Sequence, residues 1–245
     1  MCGRFNILSD VDSLLTAFEI LHDRSELSAY EPRYNISPSP RNKLIDLAGD
    51  FLTTIPFVRL DEVGERVLRS AIWPFVPIWS RGTIPKYSTA NARSETMTTA
   101  ASYRAAWKNS RRCLIPATGF YEWQVVGTGR PKQPWHIQHA DQAVMSFAGL
   151  WEQGYTDDGE AYESCAIVTT QANELMAEIH NTNQRMPVIV DPDDRDAWLS
   201  DDHDAAIRLA RTYDDGRLRA YPISARVNNP RYSAPDCVER LELPS

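Results

Sequence analysis

Long apolar runs are missing from this 245-residue chain. No stretch approaches the roughly 20 apolar residues that a membrane-crossing helix needs. The N-terminus also lacks the basic-then-apolar pattern of a secretory leader, so no membrane association is expected and the expected location is the cytoplasm. Cysteine is sparse. Cys2, Cys113, Cys165 and Cys237 lie far apart with no C-x-x-C pair, which argues against a zinc ribbon or a disulfide framework. His136 and His139 sit three apart in a strand-like stretch, on opposite faces, so they do not read as a metal pair. No metal and no cofactor is expected. Lysine is rare as well: only four of the 26 basic residues are Lys, a compositional sign of a GC-rich genome. Repeats, low-complexity tracts and an interdomain linker are all lacking, and residues 1–245 read as one domain.

The net charge of −7 speaks against nucleic acid as a partner, but the charge is unevenly spread. Residues 191–217 hold nine Asp against four Arg, a composition that hints at salt adaptation or a partner surface. The stretch from Arg81 to Arg112 is basic, with Glu95 its single acidic residue. That pattern suits a basic face with an acidic back. Hydrophobic residues at 42% can fill a core, and seven Trp suggest large rings near a surface or site.

Ser9-Asp10-Val11-Asp12 reads as a helix start, followed by Leu14, Leu15, Phe18 and Leu21 at helical spacing. Residues 32–40 carry three prolines and read as a loop presenting Arg33, Tyr34 and Asn35. Strands are expected over 43–60 and 66–73 with a turn at Gly64, then over 113–116, 134–139, 143–151, 163–170 and 188–190. Helices are expected over 98–108, 171–179, 193–199 and 203–211. Strands outnumber helices and are mostly hairpin-linked. The expected class is therefore α+β, with a curved, largely antiparallel, barrel-like sheet flanked by helices.

Several stretches carry candidate chemistry. Removal of Met1 would leave Cys2 with a free α-amine and a thiol on one carbon frame, two nucleophiles suited to an aldehyde or acyl centre. Gly119-Phe120-Tyr121-Glu122-Trp123 alternates, with Phe120 and Glu122 on one face. A carboxylate buried there would have a raised pKa, as an acid tuned for proton transfer does; an exposed strand carboxylate fits the same pentapeptide. His180 stands at a helix C-terminus, where it reads equally as a cap. Trp73 and Trp79 bracket a proline-stiffened segment that suits either core packing or an aromatic platform for unpaired bases. Arg93, Arg104, Lys108, Arg111 and Arg112 form either a phosphate-holding patch or a solvated face.

Taken together, these stretches resemble the SRAP family (SOS-response-associated peptidases, or abasic-site processing proteins). The resemblance runs in order through Met-Cys-Gly-Arg-Phe at 1–5, Arg33-Tyr34-Asn35-Ile36-Ser37-Pro38, Trp73 to Trp79, Asn91-Ala92-Arg93-Ser94-Glu95-Thr96, Arg112 to Pro116, Gly119 to Trp123, Ile179-His180 with Arg185-Met186-Pro187, and Val227-Asn228. Pro74 stands where the family usually has Gly, and three extra residues separate His180 from Arg185. The resemblance implies a single SRAP fold and covalent capture of abasic sites in single-stranded DNA through Cys2, closing a thiazolidine ring. Autopeptidase and lyase activity are implied alongside. It makes Glu122 and His180 the proton-transfer groups and has Asn91 either hydrogen-bond the linked sugar or orient Cys2. Arg4, Asn35, Trp73, Trp79, Arg93 and Arg185 become DNA contacts. It also implies a monomer, nucleoid association and room for replication-linked partners. Two other readings fit parts of the pattern: a class II glutamine amidotransferase-like hydrolase, which also opens Met-Cys-Gly, and a non-catalytic single-strand-binding module.

Overall fold

Alternating and fully apolar strands dominate the computed structural model, which describes residues 3–21, 27, 30–49 and 51–242. Strand β1 (Phe5–Ile7) leads into helix α1 (Val11–Ala17), where the Asp10 side chain accepts from Ser13 N (2.8 Å) as the sequence signature predicts. The helix buries Leu14, Phe18 packs just past its end, and Leu21 is left exposed. Strand β2 (Arg33–Ile36) is followed by β3 (Lys43–Leu44), β4 (Thr54–Leu60), β5 (Arg66–Ile72), β6 (Thr83–Ile84) and β7 (Asn91–Arg93). Helix α2 (Arg104–Lys108) precedes the long run β8 (Arg112–Ala117), β9 (Gly119–Gln124), β10 (Gln133–His139), β11 (Met145–Tyr155) and β12 (Ala161–Gln171). Helix α3 (Glu174–Ile179), β13 (Arg185–Pro187), β14 (Ile189–Val190), α4 (Arg195–Leu199), α5 (His203–Leu209) and β15 (Leu218–Pro222) complete the order.

Five strands close on themselves: β12 pairs β5, β5 pairs β4, β4 pairs β8, β8 pairs β11, and β11 returns to β12. Closure removes free edges, and β8 is buried along its whole length because α4 and β1 also pack against it. Against this barrel lies a second sheet in the order β15-β10-β9-β1-β2. The α+β, barrel-like class expected from sequence is the observed one.

Residues 33–36 form a strand rather than a loop. Pro32 and Pro38 bracket the segment without interrupting it, and β1 supplies ladder partners, Phe5 opposite Ile36 and Ile7 opposite Arg33. Proline is tolerated at the margins of an edge strand. The expected helix over 98–108 shortens to α2, with turns ahead of it, though Tyr103 and Trp107 are both buried as their spacing suggests. The expected strand over 43–60 breaks into β3 and β4.

Only Thr118 separates β8 from β9, so the chain passes from barrel to second sheet in one step. Gly119 makes this passage tight. A Cβ there would sit 2.1 Å from His136 Nε2 and 2.9 Å from Ile137 O. His136 has little room to yield: Nε2 accepts from Asn6 Nδ2 (2.9 Å) and Nδ1 donates to Tyr221 OH (2.9 Å). Gly119→Ala is therefore expected to cost roughly 1–3 kcal/mol through overpacking. Chemical denaturation checks it; an unchanged midpoint would mean that the ring moves freely.

Candidate active site

Glu122 lies on β9, facing the same way as buried Phe120, and is only 2% exposed. His180 arrives from a different part of the chain. Asn173 caps α3 by accepting from Met176 N (2.9 Å), and Asp215 accepts from Leu175 N (2.9 Å). The helix is short and stops at Ile179, which puts His180 at its C-cap. Three hydrogen bonds tie this corner to the end of β9: Gln124 Nε2 to Glu178 O (3.2 Å), Val125 N to Asn181 Oδ1 (3.0 Å) and Asn181 Nδ2 to Val125 O (3.0 Å). The imidazole Nε2 then stands 3.6 Å from Glu122 Oε2.

The electrostatics of the pair follow from burial, which disfavours charge on either partner. Burial pushes the Glu122 carboxyl up to about 7 and His180 below its ordinary value. His180 Nδ1 lies 3.0 Å from Arg185 O, so the neutral ring carries its proton there and turns the Nε2 lone pair toward Glu122. Near neutral pH the carboxyl is balanced between acid and base forms beside a neutral imidazole. Such a pair can accept and return a proton without a large driving-force penalty.

Strand β12 organises a second group. Asn91 to Arg93 run parallel to it, with Arg93 opposite Thr169, and β13 flanks it on the other side, with Arg185 opposite Gln171. Ser94 N (2.8 Å) and Arg185 Nη2 (2.7 Å) both donate to Thr169 O. Arg185 is further held by Glu95, Nη1 to Oε1 at 2.5 Å and Nη2 to Oε2 at 2.9 Å. Hydrogen bonding to Arg185 holds the Glu95 carboxyl below its ordinary range. Arg93 is exposed, and Asn91 is half-buried with an enclosed Oδ1 that has no hydrogen-bond partner among the described residues.

A third group lies where β1 enters. Tyr121 N donates to Arg4 O (2.9 Å), so the segment ahead of β1 runs antiparallel to β9 toward Glu122. Gly3 is the first described residue, and Cys2 lies outside the described residues. Arg4 Nη1 donates to Asn35 Oδ1 (2.9 Å) and Val227 O (2.6 Å), with its guanidinium 5.8 Å from the Trp123 ring. Asn35 is 6% exposed, and its amide donates to three backbone carbonyls.

The two tryptophans of the proline-stiffened segment part company. Trp73 has no exposed surface and donates from Nε1 to Ala90 O (2.9 Å), because the segment turns inward from β5 onto the core. Trp79 is 52% exposed. The base-stacking expectation therefore rests on Trp79 and not on Trp73. Arg111 and Arg112 leave the expected basic patch too. Arg111 is ion-paired with Glu152 and lies over Trp151, while Arg112 is buried and donates to Trp198 O (2.7 Å) and Ser200 O.

A family model described as SOS response associated peptidase (SRAP) matches residues 1–230. The chain belongs to the SRAP family. The abasic site processing protein YoqW of Bacillus subtilis (strain 168) is 34% identical to it over 242 residues, spanning 98% of this chain and 99% of that one. The abasic site processing protein HMCES of Xenopus tropicalis is 30% identical over 241 residues, spanning 87% of this chain and 68% of the relative. A crystal structure of a Bacteroides thetaiotaomicron protein superposes with a TM-score of 0.80 at 23% identity, covering 98% of this chain and 100% of that one. The likeness shows a shared fold.

Two features of this SRAP site took shape only in the fold. Glu95 emerges as the partner of Arg185; it stands two residues after Arg93 in the quoted motif, and its role needed the register of β12 to be seen. The extra residues between His180 and Arg185 form a turn, with Gln184 N donating to His180 O (2.9 Å) and Ala172 N to Gln184 O (2.9 Å), so Arg185 still reaches β12. Asn183 within that turn points Nδ2 at His180 Nε2 (3.4 Å). Among the described residues no cluster of three or more His, Cys, Asp or Glu is arranged to hold a metal, and no helix is long and apolar enough to cross a membrane.

Proposed function

We propose that this SRAP protein processes abasic sites in single-stranded DNA by covalent capture through Cys2 after Met1 is removed. The observation that carries the reading is the buried Glu122–His180 pair, 3.6 Å apart, at the place toward which the N-terminal segment runs. An abasic sugar opens to an aldehyde at C1′. The Cys2 α-amine adds to that carbon, and loss of one water leaves an imine. The thiol sulfur then adds to the imine carbon while its proton passes to nitrogen, closing a thiazolidine. The net change is protein plus DNA minus one water. Glu122 takes the proton of the attacking amine and returns one as the hydroxyl departs as water; His180 assists ring opening at the sugar oxygen. The enclosed Oδ1 of Asn91 accepts from the linked sugar. Exposed Arg93 holds a flanking phosphate and Trp79 stacks on a neighbouring base. Arg185 joins them by exchanging Glu95 for a phosphate. An imine at C1′ also acidifies the C2′ proton, so β-elimination competes until the thiol consumes the imine. The same Cys2 and Glu122 suit autocatalytic removal of Met1.

The test is a denaturing gel with intact-mass analysis, using a single-stranded oligonucleotide that carries one abasic site. An SDS-stable adduct is expected without borohydride, at the mass of Met1-less protein plus DNA minus one water. Cys2→Ala is expected to abolish it. An adduct that persists in Cys2→Ala would overturn the mechanism, and binding without any adduct would make the chain a single-strand-binding module.

A further inference from the structure

The closing stretch of the chain, residues 224–238, lies against the opening one. Ser224 caps a 3-10 turn over Ala225–Asn228, and Val227 is buried beside Tyr121 and Ile223. Arg226 Nη1 (2.8 Å) and Tyr232 OH (2.7 Å) both donate to Asp236, which braces the stretch against itself. Its backbone carbonyls then face inward, toward β2 and the entry of β1.

Asn35 collects them. Its amide nitrogen, with two hydrogens, lies 3.2 Å from Val227 O, 3.1 Å from Asn229 O and 2.6 Å from Tyr232 O. Its oxygen accepts from Arg4 Nη1, which also donates to Val227 O. Tyr34 N adds a bond to Ser233 Oγ (3.1 Å), and Trp123 Nε1 donates to Asn228 Oδ1 (2.6 Å) on the Arg4 side of β9. Arg4 thus has protein acceptors and an aromatic face around it, and Asn35, 6% exposed, has both its amide nitrogen and its oxygen engaged by the protein.

We infer that residues 224–238 act as a strap on the N-terminal segment, and that Arg4 and Asn35 are positioning residues for Cys2 rather than DNA contacts. The inference rests on the capture reaction proposed above. Its physical basis is the cost of fixing a chain terminus. A chain terminus is generally loose unless side chains tie it to the fold, and Arg4 is the side chain here that makes such ties. Capture requires the α-amine to approach C1′ at bonding geometry, and a misplacement of about 1 Å can cost on the order of 100-fold in rate. An arginine held two positions from the nucleophile, through an amide hub into three carbonyls, supplies a fixed anchor beside it.

The two assignments for Arg4 and Asn35 predict different kinetics. A phosphate contact contributes to affinity and to its salt dependence. A positioning residue changes the rate at saturating DNA and leaves affinity alone. Asn35→Ala and, as a milder variant, Asn228→Ala are compared with wild type in the full chain. Three quantities are read: the single-turnover capture rate at saturating DNA, the Kd for an oligonucleotide bearing an unreactive tetrahydrofuran site across a salt series, and hydrogen exchange of peptides covering residues 3–8. Expected are a capture rate at least tenfold lower for Asn35→Ala, a Kd within twofold at every salt concentration, and faster exchange confined to residues 3–8. A weakened Kd with a shallower salt slope and unchanged exchange would overturn the inference, as would an unchanged capture rate. If Asn35→Ala fails to fold, the same comparison on Asn228→Ala decides. A wild-type chain that forms no adduct refutes the capture reading itself; the exchange measurement still reports on the strap.

Discussion

Glu122→Gln is expected to slow capture of an abasic site by about 10²–10⁴-fold, the range that a positioned general acid–base contributes. The effect has a pH signature. With the carboxyl raised to about 7 by burial, the base form of Glu122 accumulates as pH rises through neutrality. The reactive α-amine loses its proton somewhat higher, near a reference value of about 7.7–8.0. Wild type should therefore show two rising limbs between roughly pH 6 and 9. Glu122→Gln keeps only the amine limb. Single-turnover rates at saturating DNA across that range check this, and a variant retaining both limbs would remove Glu122 from the proton transfer.

The same substitution carries a stability prediction of opposite sense. The folded-state pKa of Glu122 lies above its ordinary value of 4.5, so the native state binds the proton more tightly than the unfolded chain. Stability from this group is complete below about pH 4.5 and is lost as pH rises through about 7. At about one pKa unit per 1.36 kcal/mol, ionising Glu122 costs the fold roughly 3 kcal/mol at alkaline pH. Gln avoids that cost. Glu122→Gln should thus be more stable than wild type at pH 8 and close to it at pH 4.5, as denaturant midpoints will show. A site residue that destabilises its own fold where it is most active is expected to be held for chemistry.

Trp73→Ala is expected to cost about 3–5 kcal/mol, the usual loss for a fully buried aromatic. The ring meets Phe5 of β1 edge-to-face at 5.2 Å, and its N–H reaches Ala90 O, just ahead of β7. Its backbone carbonyl accepts from Ser39 N (2.7 Å) and Ser39 Oγ (2.9 Å). One side chain therefore joins β1, which begins just after Arg4, to the approach of β7, which carries Asn91. Its loss should unfold a large share of the protein at 37 °C and lower capture through the folded fraction. Trp79→Ala provides the contrast. With half its surface exposed, it should leave the denaturant midpoint near wild type while weakening single-strand affinity by about 1–3 kcal/mol. Equal destabilisation by both substitutions would contradict the division between core and surface.

The legible parts of this protein were those set by local physics. Alternation in Gly119-Phe120-Tyr121-Glu122-Trp123 put Glu122 and Phe120 on one face because strand side chains alternate whatever lies around them. The signature at Ser9-Asp10 announced α1, since a cap is satisfied within three residues. The end of α3 placed His180 at a C-cap for the same reason. The strand-rich class followed from the spacing of the apolar runs, and the SRAP motifs pointed to the family from order and residue identity alone.

What needed the tertiary structure was everything decided by a partner distant in the chain. Residues 33–36 read as loop because prolines forbid a helix, yet only β1 could show that they pair as a strand. Arg185 and Asn35 read as DNA contacts, and nothing in the sequence signalled that Glu95 and the carbonyls of residues 227–232 are their partners within the fold. Two tryptophans six residues apart had the same local sequence character, and one became core while the other stayed at the surface. Whether Glu122 was an exposed carboxylate or a buried acid was likewise undecided in the sequence. The packing of α3 onto β9 answered it, since a pKa depends on the dielectric and the charges around a group, and those neighbours are assembled only by the fold.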